Sequence, residues 1–144
     1  IARSEWLYAE GYRITEPGGA AAVLEAVKIA KQHDTKIAFT FSDTFVVEVF
    51  KDRVLEILHY TDMIFCNAAE ACAFSEMSNE QEAFEYLSKS DEERILYCKK
   101  DHWIGYGAAV KLIEILEDKF LGNFSFLAVF PEGLFLTKLS TFNT

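Results

Sequence analysis

Three short apolar runs, Trp6-Leu7-Tyr8-Ala9, Lys36-Ile37-Ala38-Phe39-Thr40-Phe41 and Met63-Ile64-Phe65-Cys66, start about 30 residues apart, the length of a βαβ unit. Each is too short to be a helix of ordinary length and too apolar to be a loop, so each reads as a strand. The segments between them carry helical signals. Thr15 or Glu16 can sit at a cap with Pro17 behind it, where an early helix N–H has no partner to lose. Val23, Leu24, Val27 and Ala30 then follow at helical spacing, Lys28 and Lys31 fall on the opposite side, and the helix should end near His33-Asp34. Ser42 or Asp43 can cap the next helix, in which Val46, Val49, Phe50, Leu55 and Leu58 recur at roughly helical spacing. Strands that alternate with helices in this way form a parallel sheet with right-handed crossovers. The expected fold class is therefore α/β, a three-layer arrangement of mainly parallel strands with helices on both faces.

Past the third strand the spacing predicts a short helix over 68–74 and an acidic helix near 79–89. A fourth strand is expected at Arg94-Ile95-Leu96-Tyr97-Cys98 and an amphipathic helix over 108–120 through Val110, Ile113 and Leu116. Residues 124–130 and 134–139 flank Pro131-Glu132-Gly133, the pattern of a hairpin and not of another crossover. The acids Glu80, Glu82, Glu85, Asp91, Glu92 and Glu93 read as a solvated helix face and loop. Phe120, Phe124, Phe126 and Phe130 read as filling for a core or a hairpin face.

Composition limits the function classes. A length of 144 residues is one domain or part of a larger one, and 51% hydrophobic residues suffice for a core. The net charge of −9 argues against nucleic acid or an anionic membrane as a partner. Cys66, Cys72 and Cys98 are odd in number and form no C-x-x-C pair, so they read as reduced thiols of a cytoplasmic protein. His33, His59 and His102 are scattered, which disfavours a His/Cys metal site. Cys98 and His102 read as strand and loop, not as a catalytic thiol–imidazole pair. No apolar run reaches the ~20 residues of a membrane span, and no signal peptide is visible. The chain starts at Ile1 and not Met, so the expectation is that residues precede it. Walker A, G-x-S-x-G and an early G-x-G-x-x-G are all missing from the sequence, which leaves P-loop, α/β-hydrolase and dinucleotide-binding readings unsupported.

The third strand ends in Asn67, and Glu70 follows three residues later at the start of a helix. In open α/β sheets ligands bind beyond the carboxyl ends of the strands. Asn67 can cap the helix at Ala68 while Glu70 favours its positive end. The same pair can also hold the waters of a divalent cation or orient phosphates.

Three stretches carry a family resemblance: Ser4-Glu5-Trp6-Leu7-Tyr8-Ala9-Glu10-Gly11-Tyr12, Ala38-Phe39-Thr40-Phe41-Ser42-Asp43-Thr44-Phe45 and Asp62-Met63-Ile64-Phe65-Cys66-Asn67-Ala68-Ala69-Glu70. In order and spacing they resemble the ribokinase-like (PfkB) carbohydrate kinases, above all the adenosine-kinase-like members, over residues 4–90. The resemblance implies ATP-dependent phosphoryl transfer to a hydroxyl of a sugar or nucleoside, with ATP and Mg2+ as cofactors. It places Asn67 and Glu70 at the metal and the nucleotide phosphates. It places Glu10 near sugar hydroxyls, where the competing reading is an exposed loop acid. It places Phe45 near a nucleoside, where the competing reading is a core or helix-staple aromatic.

The family's D-T-x-G-A-G-D segment, which supplies an anion hole and the catalytic base, does not occur in this sequence. Ile104-Gly105-Tyr106-Gly107-Ala108 has glycines before a helix, but Ala108 stands where the base would be, and a methyl cannot accept a proton. No catalytic residue is therefore assigned. The expected division is a partial kinase domain over 1–90 and a divergent or mis-framed segment of the same domain over 91–144, with little or no activity in this polypeptide. The alternative is a non-catalytic α/β interaction or oligomerisation module, for instance a homodimer.

Overall fold

The computed structural model describes residues 1–88 and the backbone of three further strands at 95–99, 124–130 and 133–139. The expected helix over 108–120, the glycines at 105 and 107, His102 and the turn at 131–132 lie outside the described residues. In chain order the elements are β1 (Trp6–Glu10), α1 (Pro17–Gln32), β2 (Lys36–Thr40), α2 (Thr44–Val49), α3 (Lys51–Leu58), β3 (Met63–Asn67), α4 (Ala68–Ser75), α5 (Glu80–Ser88), β4 (Ile95–Lys99), β5 (Phe124–Phe130) and β6 (Gly133–Leu139). A 3-10 turn at Gly11–Ile14 joins β1 to α1.

The strands form one six-stranded sheet in the order β4-β3-β2-β1-β5-β6. Neighbours from β4 to β5 are parallel, and β6 is antiparallel to β5. The hairpin expected at 124–139 is thus present, and its first strand extends the parallel sheet beside β1. Each step from β1 to β4 moves one strand in the same direction. Right-handed crossovers then deliver α1 to α5 to a single face. Packing agrees: Leu7, Ala9, Ile37, Phe39, Ile64 and Cys66 form one cluster with Val23, Val27, Val46, Val54, Ile57, Ala71, Phe74, Ala83 and Leu87 of those helices.

Pro17 opens α1 at its first position, and Val23, Val27 and Ala30 bury the expected stripe. Burying a valine side chain stabilises by about 1.5–3 kcal/mol. Lys31 Nζ donates to both Asp62 oxygens at 3.0 Å, and Asp62 Oδ2 also accepts from the Ile37 amide at 2.8 Å. This carboxylate ties the end of α1 to the start of β2.

The helical run expected through Val46–Leu58 is broken at Phe50 into α2 and α3. The break resets the helical phase. Val47, Val54 and Ile57 are buried beside Val46 and Leu58, while Val49 and Leu55 are 61% and 47% exposed and leave the stripe.

Candidate functional site at the carboxyl ends of the strands

β1, β2 and β3 end side by side. Glu10 stands opposite Thr40 in the β1–β2 register, and Thr40 opposite Phe65 in the β2–β3 register. Side chains two apart on a strand share a face. Tyr8, Glu10, Thr40, Phe65 and Asn67 therefore share the face turned away from α1–α5. All five are buried. Along this row the residues change from aromatic to polar exactly where the strands stop, and buried polar groups are costly unless hydrogen-bonded.

Tyr8 sits between two of them. Its phenol lies within hydrogen-bonding reach of Glu10 and Thr40, and it is held well above the usual phenol range, first by burial and then by the Glu10 charge. Its ring meets Phe65 edge-on at 6.5 Å. Glu10 is 6% exposed and belongs to β1 itself. The exposed-loop reading of this acid is thus overturned, because the strand runs one residue further than the apolar run did.

Asn67 and Glu70 form a complete capping box at α4. Asn67 Oδ1 accepts from the Glu70 amide at 2.8 Å, and Glu70 Oε2 accepts from the Asn67 amide at 2.9 Å. Asn67 Nδ2 also donates to Glu70 Oε1 at 3.3 Å. Each side chain satisfies a backbone donor that the first turn of a helix leaves without an intrahelical partner. Glu70 is 1% exposed, so its carboxylate is held in one place by this box.

The loop after β2 completes the edge. Ser42 takes a left-handed backbone, φ 67, which turns the chain so that Asp43 caps α2 through a bond from the Phe45 amide at 2.9 Å. Tyr12 Oη donates to Asp43 Oδ2 at 3.1 Å. The Tyr12 phenol is raised by burial, then by Asp43, and further by the charges of Glu70 and Glu10. Three acids thus act on one phenol, and the described part of the site is electronegative. Gly11 allows the tight approach of the 3-10 turn, since a Cβ there would lie 2.4 Å from the Phe41 carbonyl oxygen.

Phe45 is 50% exposed on α2 and packs edge-on against Phe50 at 5.7 Å. The core reading of Phe45 fails, because the first turn of α2 buries Val46 and Val47 and leaves Phe45 on its outer side. Tyr8, Thr40 and Tyr12 were not singled out from sequence. Tyr8 could have been found by stepping two residues back from Glu10. Thr40 could not, because its place depends on strand register. Lys99, at the register position opposite Asn67 on β4, is a further residue that only the pairing brings to this edge.

Neither Cys66 nor Cys72 is in a disulfide. Among the described residues no three His, Cys, Asp or Glu side chains gather as direct metal ligands, and no helix is long and apolar enough to cross a membrane.

No protein family model matches this chain, and no curated protein sequence matches it. Solved structures do. Adenosine kinase from Sinorhizobium meliloti is 31% identical with a TM-score of 0.61, over 69% of this chain and 31% of that one. A probable sugar kinase from Rhizobium etli CFN 42 is 28% identical with a TM-score of 0.57, over 60% of this chain and 27% of that one. Aminoimidazole riboside kinase from Salmonella enterica, complexed with aminoimidazole riboside and an ATP analogue, is 14% identical with a TM-score of 0.54, over 98% of this chain and 41% of that one. This chain therefore has part of the ribokinase-like α/β fold of these kinases, and it spans well under half of their length.

Proposed function

We propose that this chain is part of a PfkB-type sugar or nucleoside kinase, and that its strand ends form one wall of a site for ATP-dependent phosphoryl transfer to a hydroxyl. The observation that carries this reading is the row of buried polar side chains, Glu10, Thr40 and Asn67, at the carboxyl ends of three adjacent parallel strands. Such transfer is mostly positioning and charge stabilisation. Glu10 suits the acceptor's hydroxyls, since a carboxylate accepts several hydrogen bonds. Phe45, half exposed beside this edge, offers a ring for a nucleoside base.

An acidic wall repels triphosphate, so the nucleotide would need a cation. Oxygen donors suit Mg2+, which keeps several of its waters. Asn67 and Glu70, fixed by their capping box, would hold that ion through water, because the bonds of that box already engage them with each other. When bound, the ion would neutralise phosphate charge. Without a D-T-x-G-A-G-D segment this polypeptide has no residue in the role of base, so we expect little or no turnover from it alone. The division into a partial kinase domain over 1–90 and a divergent or mis-framed segment of the same domain over 91–144 belongs to the same proposal, as does a cytoplasmic setting for its reduced thiols.

Mg-ATP binding tests the reading. Glu70→Ala should abolish Mg-dependent ATP affinity measured by calorimetry, with the fold retained. Affinity that survives the substitution would remove Glu70 from the site. Substrate-dependent ADP formation that disappears in Glu70→Ala would overturn the expectation of inactivity. A second reading is favoured by the completeness of the capping box: Asn67 and Glu70 serve only the helix, and the chain is a non-catalytic module that associates through its surface, for instance as a homodimer. Asn67→Ala would then cost about 1 kcal/mol of stability and change no binding.

A further inference from the structure

Glu10 has a long side chain, and burial alone does not orient a carboxylate. Its neighbour two residues back does. Tyr8 is 1% exposed and cannot swing, because its ring is wedged edge-on against Phe65 at an interplanar angle of 69°. Tyr8 and Glu10 are two residues apart on β1 and so share a face, and Thr40 stands opposite Glu10 on β2, a placement that brings the buried phenol beside both groups. A phenol has one proton, and an ionised carboxylate is an acceptor only. In this placement the arrangement that satisfies all three groups has Tyr8 Oη donating to Glu10 and the Thr40 hydroxyl donating to Tyr8 Oη. The three groups lie on adjacent strands at matched register, Glu10 opposite Thr40, so the sheet itself sets their spacing.

We infer that Tyr8 is a positioning residue for Glu10: with Thr40 behind it, the Tyr8 hydroxyl holds the Glu10 carboxylate in the orientation that accepts the hydroxyls of a sugar or of a nucleoside ribose. This rests on the reading of Glu10 as a substrate-binding acid. A carboxylate has about four acceptor positions, so one bond from a phenol orients it without exhausting it. The aromatic at position 8 is thereby part of ligand recognition although it need not touch the ligand. Hydrogen bonds to charged groups are worth more than neutral ones, and losing this one should be visible in affinity.

The test is a double-substitution cycle on the whole chain with adenosine and with D-ribose as probes. Affinity is measured by calorimetry for the wild type, Tyr8→Phe, Glu10→Gln and the double variant, and urea unfolding of each reports on the fold. Tyr8→Phe keeps the ring and should weaken binding about tenfold. Glu10→Gln should weaken it at least as much, and the double variant should bind no worse than Glu10→Gln alone. If Glu10→Gln weakens binding and Tyr8→Phe does not, the positioning role is wrong and the substrate reading stands. An equal loss from Tyr8→Phe with and without the Glu10 carboxylate also overturns it, because the effect would not pass through Glu10. If the wild type binds neither probe, the substrate reading falls and takes the inference with it. Should Tyr8→Phe fail to fold, Thr40→Val removes the donor behind the phenol. It should give a smaller loss of affinity, and no loss would count against the relay.

Discussion

The two faces of β1, β2 and β3 are built from alternate residues of the same strands, yet they follow different rules. On the face that meets α1–α5, the side chains Leu7, Ala9, Ile37, Phe39, Ile64 and Cys66 are apolar from end to end and join a single cluster. On the other face, Tyr8 and Phe65 give way to Glu10, Thr40 and Asn67 at the carboxyl ends, and all remain buried. Apolar burial is non-directional and tolerates many sequences of the right volume. Buried polar groups need partners at set distances. One face therefore supplies stability, and the other spends some of it on holding charged and polar groups in place.

The sharpest way to break this contrast is at Phe39, which is fully buried on the helix face. Phe39→Ala should cost about 3–5 kcal/mol in urea unfolding. A loss under about 1 kcal/mol would mean that the helix layer is not the main source of stability. Gly11 probes the seam at the other face. Its missing Cβ makes room for the Phe41 and Thr40 carbonyl oxygens, so Gly11→Ala should destabilise by about 1–3 kcal/mol through overpacking. It should also weaken adenosine binding, because Glu10 and Thr40 flank the displaced backbone. Unchanged stability would show that the turn is free to move.

The effect that is smallest at neutral pH is read on the alkaline side. Burial and then the Glu10 charge raise the Tyr8 phenol above its ordinary value. The folded chain then keeps a proton that the unfolded chain loses above pH ~10. This contribution is complete below pH ~10 and declines as the pH rises beyond it, by at most about 1.4 kcal/mol per pH unit for one group. Tyr8→Phe should flatten that alkaline slope in unfolding experiments between about pH 10 and pH 12. An unaltered slope would remove Tyr8 from the buried network.

Local patterning made most of the first half legible. The strands at 6, 36 and 63, the helix behind Pro17 and the Asn67 cap depend on neighbours a few residues away, and they are found where expected. The stripe through Val49 and Leu55 was misread, because the break at Phe50 depends on how α2 and α3 pack and not on spacing. The competing readings of Phe45 as a core aromatic and of Glu10 as an exposed loop acid fail for a related reason. Exposure is a property of what covers a residue, and an apolar Phe can be left outside while an acid is buried.

From its sequence alone this protein is an α/β chain of alternating strands and helices with an Asn–Glu pair at a strand end, since the period of apolar residues and the chemistry of a helix cap act over short stretches of chain. Tertiary structure decided the rest. It put β5 beside β1 and set Glu10 against Thr40, and it brought Lys99 into register with Asn67. Those pairings join residues far apart in the chain, and they are settled by the joint packing of a whole sheet, which no local window of residues contains.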